Sequence, residues 1–175
     1  MEVEELKALI SKAFAMNEYP GDWCLKGSTE GDEPYRVEAE FKGKTDWQSL
    51  VPGFLDEAPG GLGSALSFFS DEAFRFYLPA YLIADIDGRF ERVNVLFHLT
   101  HGLDNETKNK KINSQRYGER TWADAAQYKF SAFSLEEKKA IVMYLKFKYA
   151  TADFDKHAIE QALNNYWLPQ TSQQM

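Results

Sequence analysis

His98, His101, Asp104 and Glu106 are the residues whose types and spacing most directly suggest chemistry. They fall within nine residues of one another, in the run HLTHGLDNE. Imidazoles three positions apart can share a metal ion when the segment is helical, and the two acids could complete the ligand set. A metal held there would serve a small hydrolase by activating water. Gly102 breaks any such helix soon after His101, and no third histidine is near in sequence. A polar loop following an apolar segment is therefore the competing reading.

A second constellation is basic. Lys108, Lys110, Lys111, Arg116 and Arg120 lie close together, with Tyr117 and Trp122 beside them. Such a stretch could meet an acidic partner or a nucleic-acid strand, or be a solvated loop. Other motifs are incomplete. In Asp85-Ile86-Asp87-Gly88, placing Gly88 at the sixth position of a calcium loop puts Ile83 and Asn94 where acids are required. The acids there also oppose the negative end of a helix, which a cation or a basic neighbour would relieve. The run Pro59-Gly60-Gly61-Leu62-Gly63-Ser64 could cradle phosphate ahead of a helix, but it lacks the Lys-Ser/Thr of a P-loop. Cys24 is flanked by Trp23 and Leu25 and reads as a packing residue, with catalysis beside His98, His101 or His157 as the alternative. Neither a nucleophile elbow nor a His-Glu-x-x-His helix occurs.

Composition narrows the classes. The chain has 175 residues and a net charge of −7. Residues 1–107 hold 9 Lys+Arg against 20 Asp+Glu, whereas residues 108–175 hold 11 against 7. Acidity overall disfavours a dedicated nucleic-acid binder. The split between the two parts suits either mutual docking or a charged partner. One cysteine precludes an intramolecular disulfide and fits a reducing, cytoplasmic setting. The acidic start MEVEELKALISKAF is not an export signal, and no run approaches a membrane span.

These residues need elements to position them. Val3, Leu6, Leu9, Ile10, Ala13 and Phe14 form a helical stripe from about Glu2 to Met16. Tyr35, Val37, Ala39 and Phe41 alternate with charges, which predicts a short strand or hairpin near 35–41. Asp46 caps a helix running to about Glu57, disturbed by Pro52, and a short helix follows over Leu62–Phe69. Ser70 caps the run AFRFYLPAYL, which has no polar side and must be enclosed. Pro79 is expected to kink or split it near Leu78. Arg75, the lone charge in that run, requires a carboxylate such as Asp71 or Glu72. The four tryptophans read as core or core-edge residues. Residues 89–101 fit a strand or a helical turn, and residues 102–120 an exposed loop. Ser134 and Glu137 form a capping box that opens a helix to about Tyr149. Asp155 caps a last helix that Pro169 stops, and a frayed tail covers 170–175. The expected architecture is mainly α (α+β), a single globular domain over residues 1–169.

FFSDEAFRFYLPAYL, preceded by DWQSL and followed by SLEEKKAIVMYLKF and ALNNYW, resembles an uncharacterised bacterial domain family. Its core reads Ser-x-Glu-Ala-Phe-Arg-(Tyr/Phe)-Tyr-Leu-Pro-Ala-Tyr. The likeness spans about Asp46 to Trp167, and residues 102–125 carry no feature of it. The resemblance implies a shared fold and no catalytic residue. The expectation is thus a non-catalytic cytoplasmic interaction protein with a partner of complementary charge, the acidity of the whole chain suiting a basic surface, and no cofactor. A metal-dependent hydrolase built on His98 and His101 is the alternative.

Overall fold

Leu6, Ile10 and Phe14 recur at four-residue spacing, so a helix gathers them on one side. Helix α1 (Val3–Ala13) does so, and all three are buried. The structure is a computed structural model and describes residues 1–172. Its chain divides into two compact units, one from Met1 to Val95 and the other from Leu96 onward.

In the first unit, a 3-10 turn at Asp22–Cys24 leads to α2 (Glu33–Phe41). The strand or hairpin expected near 35–41 is therefore corrected to a helix. The alternation was ambiguous because Val37 and Phe41 are also four apart, one helical repeat. They are buried together with Pro34, whereas Tyr35 is exposed. Pro34 sits in the first turn, where its missing N–H costs nothing. Pro52 likewise begins a helix instead of disturbing one. Asp46 caps only a 3-10 turn at Trp47–Ser49, through the Gln48 N–H at 2.9 Å, and α3 (Pro52–Glu57) starts afresh. Helix α4 is short (Ala65–Phe68).

Helix α5 (Asp71–Ile86) is the centre of this unit. The Ser70 hydroxyl accepts the Ala73 N–H at 3.0 Å, as the cap requires. Every residue from Ala73 to Leu82 is buried except Arg75, which is half-buried rather than sealed inside. The helix is not split at Pro79. A proline inside a helix costs about 3 kcal/mol. Enclosure of this apolar run on all sides offsets that cost, with α1, α3 and the Trp47–Ser49 turn packed against it. Phe41, Phe69 and Tyr77 form a ring cluster with centroids 4.7–5.2 Å apart. The Tyr77 hydroxyl is satisfied by the Lys44 carbonyl at 2.7 Å. An isolated bridge between Lys26 and Phe69 ties the loop before α2 to the start of α5.

The second unit begins one residue into α6 (Val95–Thr100) and contains α7 (Ser114–Tyr117), α8 (Trp122–Phe130), α9 (Leu135–Thr151), α10 (Lys156–Ala162), a π turn at Leu163–Trp167 and α11 (Leu168–Ser172). The Ser134–Glu137 capping box opens α9 as its spacing predicts. Asp155 precedes α10 but makes no side-chain cap and sits at φ +65°. Pro169 does not stop the helix. It is the second residue of α11, directly after a π turn that has already interrupted the regular ladder. Gln170 is helical and its side chain accepts from Lys138 Nζ at 3.2 Å, while residues 173–175 of the expected tail lie outside the described residues. Phe130 packs on Trp167 and Tyr166 at the core of this unit.

The fold is mainly α. Among the described residues, β pairing is confined to the isolated bridges Lys26–Phe69 and Lys111–Thr121. No helix among them is long and apolar enough to cross a membrane.

Candidate functional site

The second unit fixes a short turn after α6 with unusual care. The Trp167 indole N–H donates to the Leu99 carbonyl at 2.9 Å. Asn165 Nδ2 donates to the Leu103 carbonyl at 2.7 Å and to Asn105 Oδ1 at 3.1 Å, and the Asn105 N–H donates to Gln161 Oε1 at 2.9 Å. The π turn is what places Asn165 and Trp167 here, and it is the ALNNYW segment of the sequence. Asp104 closes the turn from within, accepting the N–H groups of Glu106 (3.0 Å) and Thr107 (2.9 Å) and the Thr107 hydroxyl. Burial would raise the Asp104 carboxyl, but these donors hold it below the usual carboxylate value. Gly102 lies at φ +81°, and a Cβ there would meet the Trp122 carbonyl oxygen at 2.9 Å.

Beyond this turn the expected loop over 102–120 is a folded excursion. The Ala123 N–H donates to the Lys108 carbonyl (3.1 Å), the Trp122 N–H to that of Lys110 (3.0 Å), and the Ile112 N–H to that of Arg120 (3.0 Å). Asn113 caps the single turn of α7 at the tip. Thr121 and Asp124 form a capping box at the foot, from which α8 departs. The side chains of Lys110, Lys111, Arg116 and Arg120 are exposed and Lys108 is half-buried. Glu119 neutralises part of this charge, 2.6 Å from Lys111 Nζ, and the Arg116 guanidinium lies over the Tyr117 ring.

At the foot of the excursion three rings stand in a row. Phe97 and His101 stack at 4.8 Å with 20° between their planes, and Trp122 meets His101 edge-on at 4.7 Å. Phe97 is 50% exposed and Trp122 36%. His98 also meets Phe97, edge-on with ring centroids 5.4 Å apart. Burial pushes its imidazole down to about 4, and the nearby positive charge of Lys129 and the His101 ring push the same way.

The four residues singled out for a metal are thus placed apart in role. His101 is stacked between rings, His98 is held neutral beside a cation, Asp104 is consumed by its own turn and Glu106 is exposed. No group of three or more His, Cys, Asp or Glu side chains among the described residues is arranged to hold a metal ion. The five basic residues, by contrast, are brought together with Tyr117 and Trp122 on one excursion. Phe97, Asn165 and Gln161 did not stand out in the sequence. The signals for them were the Thr121-x-x-Asp124 box, which closes the excursion, and the ALNNYW segment.

The remaining motifs of the first unit serve structure. Lys7 Nζ sits 3.0 Å from Asp87 and relieves the acidic end of α5. In the glycine run, the Gly60 N–H donates to Glu40 Oε1 at 2.9 Å, so a carboxylate of the chain already occupies that donor. Cys24 Sγ lies near Ser70 (3.9 Å) and Glu72 (3.7 Å), and burial pushes its thiol up, away from nucleophilic character. Trp47 and Trp167 are core residues, but Trp23 is 84% exposed, against the expectation for all four. Asp56, unremarked in the sequence, is a buried anchor. Its Oδ1 accepts the N–H groups of Glu91 (3.1 Å), Arg92 (2.9 Å) and Val93 (3.2 Å), and its Oδ2 faces the Arg92 guanidinium at 3.1 Å.

Fold and site together define a helical domain that carries an exposed basic and aromatic surface. A family model matches residues 2–171, and the chain belongs to that family, DUF6714, a family of unknown function. No curated protein and no solved structure matches the chain.

Proposed function

We propose that this protein is a non-catalytic binding domain that docks a negatively charged protein segment on the Lys108–Arg120 excursion. The observation that carries the reading is the closed backbone of that excursion, which displays four exposed basic residues beside half-buried Lys108, against one carboxylate, Glu119, on a chain that is otherwise strongly acidic. Charge displayed on a fixed scaffold steers an oppositely charged partner and sets its orientation. Overall charge of −7 works against long polyanions such as nucleic acid, which must be neutralised along their length. A lone cysteine suits a reducing compartment, in keeping with a cytoplasmic protein.

Binding to poly-L-glutamate, followed by calorimetry across a salt series, tests the reading. Affinity is expected to fall steadily with added salt. The double variant Lys110→Glu/Arg120→Glu is expected to bind about tenfold more weakly or worse. Equal binding by the variant and the native chain would refute the reading.

A further inference from the structure

Resting on the reading of the excursion as a docking surface, we infer that its acidic occupant is the Asp153-Phe154-Asp155 segment of a second copy of this chain. The segment joins α9 to α10, and all three of its residues are exposed. Phe154 is 82% exposed and makes no ring contact among the described residues. Neither carboxylate has an ion-pair partner among them, and the Asp155 side chain does not cap α10. The adjoining cation, Lys156, lies over the Tyr149 ring at 5.8 Å instead. A bare ring between two unpaired carboxylates is thus carried on a turn between two helices, where Asp155 stands at φ +65°. Its exposure also means that it is not seated on the excursion of its own chain.

The excursion offers the matching charges. Its isolated bridge pairs Lys111 with Thr121, and side chains alternate in direction along paired segments. Lys110, Ile112 and Arg120 therefore fall on one face, and Lys111 and Glu119 on the other, in keeping with their ion pair at 2.6 Å. Asp124 feels the charge of Arg120 but is engaged by Thr121 in its capping box. Lys110 and Arg120 are diagonal neighbours across the pair, a relation that spans about 7–8 Å. Residues two apart in a chain span at most about 7 Å, so Asp153 and Asp155 can meet both cations at once. Phe154, between them, presents a ring face that ammonium and guanidinium groups attract. One loop on one short excursion is a small contact, of the kind that gives weak and reversible association.

Sedimentation equilibrium of the full chain, from micromolar to millimolar concentration, provides the test. The native chain is expected to self-associate. Phe154→Ser, and separately Asp153→Asn/Asp155→Asn, are each expected to weaken that association about tenfold. These side chains are exposed and asparagine tolerates the left-handed backbone at position 155, so folding is preserved. Lys110→Glu/Arg120→Glu is expected to weaken association to a similar degree. Phe154→Ser keeps its excursion and Lys110→Glu/Arg120→Glu keeps its segment, so a mixture of the two is expected to associate more tightly than either alone. A mixture no tighter than its components overturns the inference, as does association that survives every variant and so belongs to another surface. A native chain that stays monomeric overturns it too. Polyglutamate binding that still depends on Lys110 and Arg120 would then spare the docking surface, and its absence would sink both. Polyglutamate binding that tightens in Phe154→Ser, with the native chain monomeric, would assign the segment to the excursion of its own chain.

Discussion

Asp56 shows how much one side chain can organise. Its carboxylate gathers three successive backbone N–H groups and a guanidinium from a segment some thirty-five positions away. Burial alone would raise its carboxyl, but the N–H groups of Arg92, Val93 and Glu91 and the Arg92 side chain hold it below the ordinary value of 3.8. A carboxyl lowered in the folded state contributes stability that is complete above its unfolded value. That contribution is lost as pH falls through the lower, folded one. Asp56→Asn is expected to cost about 1–3 kcal/mol at neutral pH. Urea melts of the native chain and variant should converge as pH drops below about 4. A gap that persists unchanged at low pH would contradict this role. Nothing in the sequence distinguishes Asp56 from the other acids, because its partners are backbone groups that only folding brings near. Ser70 was legible, since a cap binds donors three residues away. His98 and His101 were legible as chemistry-bearing types, but the rings around them, which decide their role, were not.

Local spacing explains which elements could be read. The Ser134–Glu137 box predicted the start of α9 because both of its hydrogen bonds are local. Ser134→Ala should destabilise the protein by about 1 kcal/mol. Chemical denaturation would register this as a lower midpoint with an unchanged slope. No shift in midpoint would mean the cap is not used in solution. The helical state of α2, the continuity of α5 through Pro79 and the π turn escaped the sequence, each for a separate physical reason. Helix α2 was concealed because spacings of two and four coincide at Val37 and Phe41. Helix α5 runs through Pro79 because burial on every side outweighs one lost donor. The π turn has no local signature that distinguishes it from ordinary helix, yet it aims Asn165 and Trp167 at the turn after α6.

At the level of the whole molecule, the mainly helical class was legible in apolar periodicity alone, and the uneven distribution of charge was visible by counting. Which aromatic residues face water was not, because composition assigns large rings to the interior as a default. Trp23 at 84% exposure departs from that default, whereas Trp47 and Trp167 conform to it. Acrylamide quenching of the native fluorescence should therefore reveal two populations, with Trp23→Phe removing most of the readily quenched emission. A uniform, slow quench in the native chain would contradict this distribution.

The clamp from Gln161, Asn165 and Trp167 onto Leu99–Asn105 has a consequence for the order of folding. Its two halves lie 56–68 positions apart, so the turn after α6 cannot take its final shape until the π-turn segment has folded against it. A chain cut short before Asn165 would leave that turn without its anchor.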